Sequence, residues 1–379
     1  MRGKIPLGKP YYGFRELWYL HTVLRSGCWA GTCRTVSKFE QEFANYVGTD
    51  YAIAASSCTT ALHTAMLCIG IKPGDEVLVP DFTHPATGFA VAYCGGIPKI
   101  VDVYSDTYTM NIEELEKKIN KQTKAIMPIY AFGMPPGLDE IIDIAVDHDL
   151  ELVLDAATGL GATYKLRKAG NFGACECFSF YPTKNIATGE GGMITTDMPE
   201  LAEKAYALVD FGTTKQSKEY KTLGFNYRLS ALHAAVGRAQ LEKLDRFIKR
   251  KRKLVEYYNK RINEHTELAW ITPQHEPKYM ESAWQRYVCM VANIPRLRDD
   301  LIGYLRANDI GCAIGTHCLS QNSFFLNPSY HNENCGAKAK QVYQNTISLP
   351  LYYTMTTKQV DAVIDTLIAF SNNYDHLRT

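Results

Sequence analysis

Between about residues 50 and 200, short apolar runs alternate with amphipathic helical stretches, and this alternation narrows the architectures open to the chain. YAIAAS, EVLVP, PKIVDV, KAIMPIY and LELVLD read as strands, and TTALHTAMLCIG and LDEIIDIAVDHD between them as helices. Strand and helix in turn predict βα units, hence an α/β fold with a mostly parallel sheet flanked by helices. Such sheets bind ligands at the carboxyl ends of their strands. No GxGxxG joins a strand to a helix, which argues against a nicotinamide-binding fold. A long helical pattern over about 230–263 leads into strand-like SAWQRYVCMVANI and helical RLRDDLIGYLRAND and KQVDAVIDTLIAF. The expected division is a large α/β domain over 1–240 and a smaller α+β domain over 241–379.

The 379 residues suffice for about two domains and a large core. A formal net charge of +1 leaves no electrostatic footprint for nucleic acid or an anionic membrane. The basic run Lys249–Lys253 reads as a solvated helix face. No apolar run approaches the ~20 residues of a membrane span, and the first residues lack a signal-peptide core, so a cytoplasmic protein is expected. The eleven cysteines form no CxxC pairs and read as free thiols. Cys175 and Cys177 would share one face of a strand, and no metal-ligand spacing is evident.

The segment FSFYPTKNIATGEGGMITT carries the chemistry. It predicts a strand over Cys175–Phe180, a proline-bearing turn, a glycine-rich loop and a strand over Gly192–Thr196. Lys184 sits in the turn, where a fixed amine can form a Schiff base with a carbonyl, the attachment chemistry of pyridoxal 5'-phosphate (PLP). Alone, it could equally be one exposed lysine among many. Other segments supply matching parts. Ser57, Cys58 and Thr59 follow one strand and open a helix, a place suited to phosphate or to ordinary capping. Asp155 ends LELVLD and could face a cationic ring nitrogen or cap a turn. Ser179 could donate to the same phosphate or face solvent, and His84 could lie against an aromatic ring or be structural.

Together these segments resemble the DegT/StrS family of PLP-dependent sugar aminotransferases, of the fold-type-I superfamily. The likeness runs from LHTVLRSGCWAGTCRTVSKFEQEFANYVGTDYAIAASSCTTALHTAM through LDAATGLGATY, SFYPTKNIATGEGG and GFNYRLSALHAAVGRAQL to ISLPLY. It implies that Lys184 is the Schiff-base lysine and Asp155 the partner of the pyridine nitrogen. Ser57, Cys58, Thr59 and Ser179 fall at phosphate positions, and His84 at the ring-stacking position. Asn226 matches an asparagine reaching the phosphate from a partner subunit, which implies a homodimer with shared sites. Arg228, Tyr181 and His317 are implied on the substrate side.

Three positions depart from the family pattern. Thr158 stands where Gln or His is usual near the phenolic oxygen, and Cys58 where many members have Gly. Ser320-Gln321-Asn322 replaces a common Pro-Leu-His near the acceptor. The implied reaction moves an amino group from glutamate or glutamine to a keto sugar, by default a nucleotide-linked 3- or 4-keto-6-deoxy sugar, next a keto-cyclitol. The alternatives are a PLP-dependent sugar dehydratase or deoxygenase, whose relatives often replace the lysine with histidine, and a non-enzymatic regulatory homologue.

Overall fold

A computed structural model describes residues 4–214, 219–330 and 336–374. Its main sheet has seven strands: β1 Tyr51–Ala55, β2 Glu76–Pro80, β3 Ile97–Val101, β4 Thr123–Ile126, β5 Glu151–Asp155, β6 Cys175–Ser179 and β7 Gly192–Thr196. Their spatial order is β1-β7-β6-β5-β4-β2-β3. Among the described residues β7 runs opposite to the other six strands, which are parallel to one another.

The strands read as unbroken apolar runs because both faces of the sheet are covered. Successive side chains point to opposite faces, so Leu152 and Leu154 join one core cluster while Val153 joins the other. Leu78 separates from Val77 and Val79 in the same way, and Phe178 from Cys175 and Cys177. Cys175 and Cys177 therefore do share a face, both buried. Helices Cys58–Cys68 and Pro199–Val209 pack on that side, and Arg34–Val47 and Leu138–Asp147 on the other.

The helical pattern expected over 230–263 is two helices, Ala231–Leu241 and Leu244–Glu264. Leu241, Leu244 and Ile248 pack in the first cluster, whereas Leu254, Val255, Tyr258 and Ile262 pack in a separate one. The second helix thus begins in one core and ends in the other. That second core lies on an antiparallel sheet of Ile271–Pro273, Tyr287–Val291, Thr346–Leu349 and Ala313–Ile314. Ile5 belongs to it as well, pairing with Ile310.

Two sequence expectations are corrected. The basic run is not a uniformly solvated face: Lys249 and Lys253 are exposed, but Lys251 is 6% exposed. The helix turns that position toward the loops between the two cores. Cys28 and Cys33, expected as free thiols, are joined in a disulfide, because the turn before Arg34–Val47 brings their Cα atoms to 5.9 Å. Among the described residues no helix is long and apolar enough to cross a membrane.

Candidate active site

The carboxyl ends of β1, β2, β4, β5 and β6 surround a cavity of about 520 Å³. Ser57, Cys58, Thr59, His84, Asp155, Thr158, Ser179, Tyr181 and Lys184, expected from widely separated segments, all line it. This is where a parallel sheet leaves its loops and unsatisfied backbone groups.

Ser57 caps helix Cys58–Cys68, its hydroxyl accepting from the Thr60 N–H at 3.1 Å while the Ser57 N–H donates to the Thr60 hydroxyl. The N–H groups of Cys58 and Thr59 lie in the first turn, with no helical carbonyl four residues before them. Strand β7 passes this helix end so closely that a Cβ on Gly192 would lie 2.5 Å from the Ser57 carbonyl. Only glycine permits that approach. Ser179, buried at the end of β6, accepts from the Tyr181 N–H at 3.4 Å. Among the described residues its own hydroxyl proton has no acceptor, which leaves it to a ligand. Donors at a helix N-terminus beside a serine hydroxyl fit a phosphate dianion.

Asp155 is 7% exposed and held from two sides. Oδ2 accepts from the Thr87 hydroxyl at 2.7 Å and Oδ1 from the Ala157 N–H at 3.0 Å. His84 caps helix Pro85–Tyr93, its Nδ1 accepting from the Ala86 N–H at 3.2 Å. Nδ1 in that role leaves the proton of a neutral ring on Nε2. Burial lowers the His84 pKa; Asp155 opposes this, while His317, Lys184 and Arg286 add to it. A neutral imidazole beside a buried carboxylate suits a flat heteroaromatic ring whose nitrogen is cationic.

Lys184 closes a turn after β6, its N–H donating to the Tyr181 carbonyl at 2.9 Å. Burial lowers its pKa, with Cys58 and Asp155 pulling upward and Arg286 downward. A larger neutral-amine fraction makes it a better nucleophile toward a carbonyl. Phosphate donors, ring carboxylate and amine thus face one cavity, and this set fits PLP.

Other expected residues stand differently. Thr158 lines the cavity but donates its proton to the Tyr130 carbonyl, leaving its oxygen only as an acceptor. Asn226 and Arg228 do not line the cavity of this chain. Arg228 donates to Asp210 at 2.6 Å and to Asn226 Oδ1 at 2.9 Å, on a segment whose Tyr227 carbonyl receives the Ser56 N–H at 2.6 Å. His317 is exposed, its ring 5.8 Å from that of His84. Ser320 is turned inward, bound through its N–H and hydroxyl to Asp81 at 2.8 and 2.6 Å.

Arg286 was missed. The expected strand SAWQRYVCMVANI is regular only over Tyr287–Val291. Before it, Ala283 and Gln285 donate to the carbonyls of Gly133 and Phe132, both at 2.9 Å, which carries Arg286 to the cavity wall. Arg286 donates to the Gly315 carbonyl at 3.3 Å, burial lowers its pKa, and it makes no salt bridge among the described residues. The available signal was an arginine within an apolar strand pattern.

Residues 12–368 match the DegT/DnrJ/EryC1/StrS aminotransferase family. The chain is 33% identical over 376 residues to the spore coat polysaccharide biosynthesis protein SpsC of Bacillus subtilis, covering 95% of each chain. It is 33% identical over 310 residues to the GDP-perosamine synthase of Vibrio cholerae, covering 81% of this chain and 83% of that one. The solved structure of DesV from S. venezuelae superposes with a TM-score of 0.88 at 30% identity, over 98% of this chain and all of that one (100%). A family match over nearly the whole length, on a fold whose cavity carries the parts of a PLP site, has one reading: the chain belongs to the DegT/DnrJ/EryC1/StrS family and is a PLP-dependent aminotransferase.

Proposed function

We propose that this protein transfers an amino group from glutamate or glutamine to the keto carbon of a nucleotide-linked sugar, a 3- or 4-keto-6-deoxy sugar by preference. The observation that carries the donor half is Arg286, a guanidinium with no acidic partner among the described residues, lining the same cavity as Lys184. An amino acid brings a carboxylate with its amine, and a guanidinium binds a carboxylate through two parallel hydrogen bonds. The relatives named GDP-perosamine synthase support the acceptor half.

PLP, when bound, supplies the electron sink that makes the donor's α-proton acidic. With PLP bound, Lys184 would hold it and would serve as general base and acid for the donor's α-proton. Asp155 keeps the ring nitrogen protonated, and Thr87 and the Ala157 N–H fix the carboxylate for that task. The N–H groups of Cys58 and Thr59, the Ser57 cap and the Ser179 hydroxyl bind the phosphate. His84, on the cavity wall, would be the residue to pack against the cofactor ring. Thr158, its proton given to the Tyr130 carbonyl, would offer the cofactor an acceptor only. Tyr181 and His317 flank the acceptor.

Asn226 and Arg228 act across a homodimer interface, the Asn226 amide completing the partner's phosphate site. The cytoplasm, where glutamate and sugar nucleotides are available, is the compartment that goes with this reading. The test is amination of a panel of nucleotide-linked 4-keto and 3-keto sugars and a keto-cyclitol, followed by mass spectrometry with glutamate or glutamine as donor. An aminated 4-keto or 3-keto nucleotide sugar is expected. Amination of the cyclitol alone would overturn the acceptor assignment.

A further inference from the structure

Lys251 is a buried amine without an acidic partner among the described residues, and the transamination chemistry does not use it. Its Nζ donates to the Asn185 side-chain carbonyl and, at 2.7 Å, to the Trp284 backbone carbonyl. Asn185 directly follows Lys184. Its amide nitrogen donates to the carbonyls of Leu160 and Ala283, both at 3.1 Å. Gln285 adds a bond to the Thr183 carbonyl at 2.7 Å.

Three segments meet here: the turn bearing Lys184, the loop that follows Asp155 and Thr158, and the stretch leading to Arg286. Each presents backbone carbonyls to the others, and carbonyls alone cannot join them. The Lys251 amine and the Asn185 amide supply the missing donors. Burial lowers the Lys251 pKa to about 7. The neutral amine keeps two N–H groups, enough for both acceptors.

We propose that Lys251 is a positioning residue that, through Asn185 and the Trp284 carbonyl, fixes where Lys184 stands relative to Arg286. Small misplacements of reacting groups are costly, since a shift of about 1 Å can cost on the order of a hundredfold in rate. Helix Leu244–Glu264, which spans both core clusters, is the rigid element on which that placement rests.

This inference rests on Lys184 as the cofactor-bearing residue, and its test reads the holoenzyme without substrate. Lys251→Met, Lys251→Arg and Asn185→Ala are compared with the wild type by PLP affinity and by amide hydrogen exchange over 183–187 and 283–286. Lys251→Met is expected to weaken PLP binding about tenfold, the order of one hydrogen bond's net worth, and to raise exchange in both segments together. Lys251→Arg restores both. A folded Lys251→Met protein with wild-type PLP affinity, or with only one segment loosened, overturns the proposal. If Lys251→Met fails to fold, Asn185→Ala cuts the same link and is judged by the same two measurements. A wild-type protein that binds no PLP would instead contradict the cofactor reading.

Discussion

Thr87 donates its hydroxyl to Asp155 Oδ2 at 2.7 Å, tying the carboxylate at the end of β5 to the helix that His84 caps. Thr83 lies 2.8 Å from the same hydroxyl, so two strand ends and a helix are locked through one buried chain of oxygens. Thr87→Val removes the donor at nearly constant volume. A hydrogen bond to a charged group is worth about 1.5–3 kcal/mol, so kcat should fall by ten- to hundredfold, with a smaller change in KM. Thr87→Ser should recover most of it. Unchanged kinetics in Thr87→Val would mean that Asp155 needs no such support.

Asp155→Asn keeps the shape and removes the charge. If the carboxylate holds the ring nitrogen protonated, turnover should drop by at least 10²–10³-fold, the scale seen when one preorganised electrostatic partner is lost. PLP should still bind through the phosphate donors. Near-normal turnover would deny Asp155 its role.

Lys251 makes stability depend on pH in a defined direction. Its folded pKa is about 7, against about 10.4 for an ordinary lysine. Between those values the unfolded chain holds the proton more tightly, so stability rises with pH across that window and is flat below it. Urea unfolding of wild type and Lys251→Met at pH 7 and 9 should show the wild type gaining on the variant at the higher pH. Parallel curves would mean that the burial of this amine carries no such cost.

Glu16 anchors the first helix, Phe14–Ser26, to Ala231–Leu241 and the turn after it. It is 2% exposed and accepts from Lys243, Gln240 and the Gly13 N–H. Burial alone would raise its pKa, but these hydrogen bonds outweigh it and hold the carboxyl below its ordinary value. The stability it contributes is full above the ordinary carboxylate range and is lost as pH falls through the lowered pKa. Glu16→Gln keeps an acceptor but removes the charge facing Lys243, and should cost about 1.5–3 kcal/mol at neutral pH. A thermal shift within error of wild type would contradict this.

The sheet was legible because both of its faces are buried, so Val77–Val79 and Leu152–Leu154 appear as apolar runs whatever the tertiary context. Asp155, the last residue of β5, and Lys184, in the turn after β6, were legible because the fold class fixes where ligands bind. Lys251 was hidden inside a run of five basic residues. Its burial depends on helix rotation between two cores, which charge patterning does not encode. Arg286 was hidden by strand-like neighbours, and its placement depends on backbone bonds to Phe132 and Gly133, distant in sequence. The Cys28–Cys33 pairing depends on a tight turn that cysteine spacing alone did not disclose.

The visible absorbance of the purified protein with PLP, recorded before and after glutamate for wild type and Lys184→Ala, tests Lys184 as the cofactor-bearing amine. The wild type should show the yellow band of lysine-bound PLP and lose it to the pyridoxamine form on adding glutamate. Lys184→Ala should show neither that band nor turnover, with its fold intact. A wild type with no cofactor band after PLP is supplied, or a Lys184→Ala protein that turns over without added amines, would deny Lys184 that role.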